Sequence, residues 1–238
     1  MKHDTKKLSI VIPVYNEQEI LKTEIEKIIA EAGTFLQSSD YEIVLVENGS
    51  SDDTLSIAKK LASQYYQINP ISLSVASYGN ALKEGVSRSN GTYIAVFNID
   101  FWDMDAVKKA ITLFENEGCD IVVCSKSMEG ALDKRPLSRR ILKKIFNFAL
   151  RMLFRYPGTD THGIKIFNRE KAAPVFSQCK THRDLLDTEF LIRANRAGLK
   201  IKEIPVTCEE KRKSVYGIFG HIPRIIKDFV VIFFDIYF

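Results

Sequence analysis

The stretch LSIVIPVYNEQEILKTEIEKIIAEA, residues 8–32, decides how the rest of the chain is read. Residues 8–14 are an almost unbroken apolar run, as in a strand buried on both faces. From Glu17 onward apolar residues recur at helical spacing, and Tyr15, Asn16 and Glu17 form an acidic turn between the two patterns. The same couplet returns as YEIVLVE (41–47) before DDTLSIAKKLASQYY, ISLSVA (71–76) before GNALKEGVSRS, and TYIAVFN (92–98) before DAVKKAITLFENEG, closing on CDIVVCSK (119–126). Strands alternating with helices of about three turns predict right-handed βαβ units. The fold class is therefore α/β, a doubly wound, mostly parallel sheet. Asn16 with Glu19 reads as a capping box, and Ser51 with Asp52 and Asp53 as an acid-rich capped turn. Both helices then start right after a strand, which puts Tyr15, Asn16, Glu17 and Asn48, Gly49, Ser50 at the carboxyl edge, where open α/β sheets hold ligands.

Composition excludes several classes. With 238 residues, 45% hydrophobic and 27% charged, the chain buries a large core, which rules out disorder and fibrous architecture. No apolar run reaches the roughly 18–20 residues of a membrane span, and Pro13 interrupts the N-terminal run too early for a secretory signal, so a cytoplasmic location is expected. The four cysteines lack CxxC spacing, which argues against a zinc site and a disulfide framework. A net charge of +4 is too small for a nucleic-acid-binding protein, and none is expected as a partner.

That charge is unevenly spread. Between Lys126 and Arg155 nine Lys or Arg face two acids. Within this stretch, residues 137–155 read as a basic amphipathic helix, suited either to pack on the core with a solvated basic face or to lie on an anionic membrane surface. Beyond it come the strand GIKIFNRE (163–170), a helix RDLLDTEFLIRANRAG (183–198) and a strand LKIKEIPVTCEE (199–210). The tail from residue 219 is apolar, interrupted by Asp228 and Asp235, and suits an interface. These boundaries divide the chain into a domain, 1–218, made of two halves, 1–126 and 127–218, and a tail, 219–238.

The strand ends carry the chemistry. The first turn, PVYNEQE, lacks G-x-G-x-x-G, so a dinucleotide fold is disfavoured. It offers instead a ring and carboxylates able to accept hydrogen bonds from a base or ribose. The fourth strand ends in NIDFWD, which brings Asn98, Asp100 and Asp103 together. Such oxygen ligands suit Mg²⁺ or Mn²⁺ bridging two phosphates, although Asp103 reads more simply as an N-cap.

In order, VIPVYNEQEIL, VENGSSDDT, SYGNALKEGVSRSNGTYIAVFNID, GTDTHGIKIFNRE and DLLDTEFLIRANRAGLKIKEIPV resemble the motif series of family-2 glycosyltransferases of GT-A fold. The subgroup most alike is dolichyl-phosphate mannose synthase with the bacterial polyprenyl-phosphate glycosyltransferases. The resemblance implies inverting transfer of a sugar from a nucleotide-diphosphate sugar to a polyprenyl phosphate, at the cytoplasmic membrane face, by a peripheral protein. It places Pro13, Tyr15, Glu17, Glu47, Asn48, Asn98 and Asp100 on the nucleotide, and a Mg²⁺ or Mn²⁺ on Asp100 and Asn98. It places Lys126, Lys211 and Arg212 on the acceptor phosphate, and gives catalytic roles to Asp100, Asp160, Asp187 and Glu189. His162 lies in the same segment as Asp160. It makes 1–218 a glycosyltransferase domain, with 1–126 its nucleotide-sugar half and 127–218 its acceptor half. Four positions depart from the family pattern: Glu47 and Asn48 replace its Asp-Asp, Asn98 replaces the first Asp of its metal motif, and Trp102 replaces the small or amide residue usual two places after the second Asp. Alternatives are a hydroxyl acceptor, with Asp187 or Glu189 as general base, or a catalytically weak nucleotide-sugar-binding protein.

Overall fold

A computed structural model describes residues 6–128, 137–182, 185–207 and 222–238. Strands β1 (Leu8–Val14), β2 (Tyr41–Asn48), β3 (Ile68–Leu73), β4 (Tyr93–Val96), β5 (Ile121–Ser125), β6 (Lys165–Asn168) and β7 (Ile201–Pro205) form one sheet in the order β3-β2-β1-β4-β6-β5-β7. All pairings are parallel except those of β6, which runs antiparallel to both β4 and β5.

Each face of the sheet is covered. Leu8, Ile10 and Ile12 pack with α1 (Leu21–Ala32), α2 (Thr54–Gln64) and α4 (Met104–Glu117). Val11, Val44 and Val46 pack with α3 (Tyr78–Ser87), α6 (Arg169–Ser177) and α7 (Leu186–Arg196). Burial on both sides explains why β1 and β2 read as continuous apolar text. The basic helix α5 (Leu137–Phe154) buries Leu150 and Phe154 in the second core, joined there by Ile232 of α8 (Ile222–Tyr237).

Some readings change. Asn16 does not cap α1: it takes a left-handed conformation, φ 54°, and its Oδ1 accepts from the Ser51 N–H at 2.9 Å. The helix starts four residues later than a cap at Asn16 allows, with Ile20 at its N-cap position and no side-chain cap. Strand β3 begins at Ile68, three residues before the predicted strand, because Pro70 is tolerated on the edge of the sheet. This leaves residues 74–77 as a loop at the carboxyl edge, with Ser77 capping α3 through Asn80 N–H. Asp103 does cap α4, accepting from Ala106 N–H at 2.8 Å. The tail from Ile222 is a helix, packed against α5 through Phe146–Phe229 and Phe154–Phe229 ring contacts.

Candidate active site

Two loops meet beyond β1 and β2. Asn16 and Glu17 donate backbone hydrogen bonds to Ser50 Oγ (3.0 Å) and Thr54 Oγ1 (2.8 Å), while Gln18 Oε1 accepts from Asp53 N–H (3.0 Å). This lacing fixes the turn on which Tyr15 stands 49% exposed, a large ring facing solvent. Pro13, at the strand's end, is half-buried. Glu47 is buried, and its carboxylate accepts from Ser50 N–H (2.5 Å) and Ser72 Oγ (2.8 Å). Asn48 is also buried, its Oδ1 accepting from Ser77 N–H at 2.7 Å. Glu47 and Asn48 thus shape the loops 49–50 and 74–77. Between those loops Gly49, at φ 70°, lies so close that an added Cβ would stand 3.2 Å from Ala76 N.

Beyond β4, Asn98 and Phe101 close a tight turn, with Phe101 N–H donating to Asn98 O at 3.0 Å. Asn98 is exposed and Asp100 half-exposed, and among the described residues neither side chain has a protein partner. A carboxylate and an amide oxygen without protein partners fit a hard cation that takes its remaining ligands from a bound phosphate or water. Among the described residues no three His, Cys, Asp or Glu converge as a self-sufficient metal cage.

The other acids are differently engaged. Asp160 is wholly buried: it binds Lys143 Nζ at 2.5 Å and accepts from Lys126 N–H and His162 N–H, each at 3.0 Å. Burial works to raise its pKa, but the Lys143 and Lys126 charges outweigh that and hold it at about 2. Asp187 pairs with the buried Lys165 at 3.0 Å and accepts from Tyr78 OH at 3.1 Å. Glu189, 0% exposed, accepts from Lys180 N–H, Thr181 N–H, Thr181 Oγ1 and Arg193 Nε. His162 is exposed beside Asp160, its Nδ1 3.1 Å from Thr161 Oγ1. Lys211 and Arg212 lie outside the described residues.

Between α5 and α8 runs an apolar groove of about 800 Å³, floored by Leu142, Phe146, Phe229 and Phe233. Its polar end is made by Lys126, Lys143, Asp160 and His162. Asn147 Nδ2 donates to Thr159 O at 2.6 Å, and Tyr237 OH to Leu153 O at 2.9 Å, so each groove helix is anchored by a hydrogen bond. Sequence reasoning missed Lys143, Glu203 and Phe101. Glu203 holds the turn before Asp160 through Thr159 N–H (2.7 Å) and Thr159 Oγ1 (2.6 Å). The acid in the middle of IKEIPV was the one signal pointing to it.

The family model described as "Glycosyl transferase family 2" matches residues 9–176. The dolichyl-phosphate beta-glucosyltransferase of Saccharomyces cerevisiae is 27% identical over 254 residues, covering 94% of this chain and 73% of that protein. The Dictyostelium discoideum protein of the same name is 29% identical, with 95% and 74% covered. Glycosyltransferase AglD of Haloferax volcanii is 27% identical, but the chain spans only 33% of its length. Among solved structures, glucosyl-3-phosphoglycerate synthase of Mycobacterium tuberculosis, in complex with Mn²⁺, UDP and glucosyl-3-phosphoglycerate, superposes with a TM-score of 0.71 at 18% identity. That match covers 96% of this chain and 80% of the synthase. Matched by the family model from β1 through α6, with a sheet that superposes on GT-A structures, the protein is a member of glycosyl transferase family 2 with the GT-A fold.

Proposed function

We infer that the chain transfers a sugar from a nucleotide-diphosphate sugar to a polyprenyl phosphate at a membrane surface. The observation that carries this reading is the groove between α5 and α8: an apolar trough for a lipid chain, ending in lysines at the edge of the sheet that holds the donor. The names of the yeast and Dictyostelium relatives support the same acceptor and make glucose the first sugar to test.

In this reading Tyr15, Pro13 and Glu17 receive the base and ribose, while Glu47 and Asn48 shape the pocket from behind. Asn98 and Asp100 hold the cation, Mg²⁺ or Mn²⁺. When bound, it offsets the charge building on the departing diphosphate. Lys126 holds the acceptor phosphate, joined by Lys211 and Arg212. Attack by a phosphate oxygen on the anomeric carbon breaks the bond to the diphosphate and inverts the centre. A phosphate monoester has a second pKa near 6 and is already ionised at pH 7, so no protein base is required. The engagement of Glu189 supports this choice over a hydroxyl acceptor, since its carboxylate already accepts from four protein donors, while Asp187 is held in an ion pair with the buried Lys165. Asp160, Asp187 and Glu189 then act by shaping the acceptor side. The membrane-facing part is α5 with α8, where Ile145, Phe148, Met152 and Phe234 are exposed; no described helix is long and apolar enough to cross a bilayer. On this view the protein sits peripherally on the cytoplasmic face.

The test offers UDP-glucose and GDP-mannose with a polyprenyl phosphate, the matching polyprenol and free sugars. Transfer to the lipid phosphate alone is expected. Transfer to a free hydroxyl with none to the phosphate overturns the reading.

A further inference from the structure

Lys126 stands at the end of β5; among the described residues no carboxylate lies within ion-pair distance of its ammonium, and its charge reaches the buried Asp160, already paired with Lys143, only from farther off. What holds the ammonium is the face of Phe101, with Nζ 4.4 Å from the ring centroid. Its backbone is fixed separately, by Lys126 N–H donating to Asp160 Oδ2 at 3.0 Å. A half-buried ammonium beside an apolar groove loses hydration, and the negative face of an aromatic ring restores part of that loss without neutralising the charge. A carboxylate here would satisfy the lysine and compete with any incoming anion. A ring leaves the charge available on the opposite side, toward the groove that Lys126 lines.

The ring in turn belongs to the donor side. Phe101 closes the turn that carries Asn98 and Asp100, through its N–H to Asn98 O at 3.0 Å and the Asn98–Phe101 bridge. Its side chain also packs on the core beneath that turn.

We propose that Phe101 is a positioning residue that links the two substrates, its backbone closing the donor-side turn and its ring aiming the Lys126 ammonium at the acceptor phosphate. The inference rests on the proposed lipid-phosphate acceptor and adds a specificity determinant to it. Asp160 fixes where Lys126 starts, and Phe101 fixes where its charge ends.

The test compares wild type with Phe101→Leu, Phe101→Tyr and Lys126→Ala, using UDP-glucose as donor and farnesyl phosphate as a short acceptor. Binding of farnesyl phosphate against farnesol is measured calorimetrically alongside turnover. Phe101→Leu keeps apolar bulk but removes the ring; it should raise the acceptor KM about fivefold, or about 1 kcal/mol, the size of a partly desolvated cation–π contact. The donor KM should stay within twofold. Phe101→Tyr should restore the acceptor KM, and farnesol binding should be the same in every variant. Equal rises in both KM values, or no rescue by tyrosine, means Phe101 is only packing and overturns the inference while leaving the acceptor assignment intact. Failure of the wild type both to bind farnesyl phosphate better than farnesol and to glycosylate it overturns the acceptor assignment, and the inference falls with it.

Discussion

At the scale of single residues, what separates the acids of this site is how many protein donors each already serves. Asp100 serves none among the described residues, whereas Glu189 accepts four hydrogen bonds. Asp100→Asn is therefore expected to leave stability within about 0.5 kcal/mol of wild type. Activity should fall about 100-fold at fixed donor and Mn²⁺, as when one point of transition-state charge stabilisation is lost. Full activity in excess chelator would remove the cation from that account. Glu189→Gln should behave in the opposite sense, lowering the melting temperature, because an amide cannot accept from all four donors. Asp160 adds a pH dependence. Its folded pKa, about 2, lies below the unfolded value near 3.9, so it stabilises the fold fully above about pH 5. That contribution, about 2–3 kcal/mol, should disappear as pH falls from 5 toward 2, and Asp160→Asn should flatten this part of the stability profile in chemical denaturation.

Among the elements, α5 has three faces with separate tasks. Leu150 and Phe154 enter the core, Lys143 and Asn147 bind the turn at 159–160, and Ile141, Ile145, Phe148 and Met152 stand in solvent. Helical spacing made the apolar stripe legible. It did not show that Lys143, one of four adjacent-looking basic residues, turns inward to a buried acid, since its partner comes from a distant loop. Membrane attachment is best tested with residues that leave that pair intact. Replacing Arg140, Lys144 and Arg151 by Glu should cut binding to vesicles containing phosphatidylserine by more than tenfold, because each basic residue near the headgroups contributes about 1 kcal/mol. Phe148→Ser with Met152→Ser should weaken binding to neutral vesicles as well. Unchanged cosedimentation in both sets would show that this surface serves another purpose. Other elements were legible to different degrees. Strands β1 and β2 were plain because both faces are buried, and β3 was displaced because proline punctuates sequence more strongly than it punctuates an edge strand. The short α6 was missed: it has nine residues and contains Pro174.

For the molecule as a whole, the α/β class followed from alternating periodicities, and polar residues at strand ends marked the carboxyl edge as the candidate site. The end of the fourth strand brought Asn98 and Asp100 into view, and the resemblance to the glycosyltransferase motif series added Lys126 and Asp160. Long-range pairings left no such trace: Lys165 with Asp187, Glu203 with Thr159, and Phe101 with Lys126 each join segments whose proximity is set by the order of the strands. That order has one further effect, on how the chain can be made. β6 lies between β4 and β5, so two strands complete by Ser125 have no neighbour in common until residues 165–168 arrive. A ribosome that has delivered residues 1–126 has delivered a sheet with a slot in it. A fragment ending at residue 126 is accordingly expected to stay partly unfolded, with β5 amides exchanging quickly in hydrogen–deuterium exchange. Adding the complementary fragment, 127–238, should slow that exchange by closing the slot, whereas native-like protection in the first fragment alone would mean that β5 finds another berth.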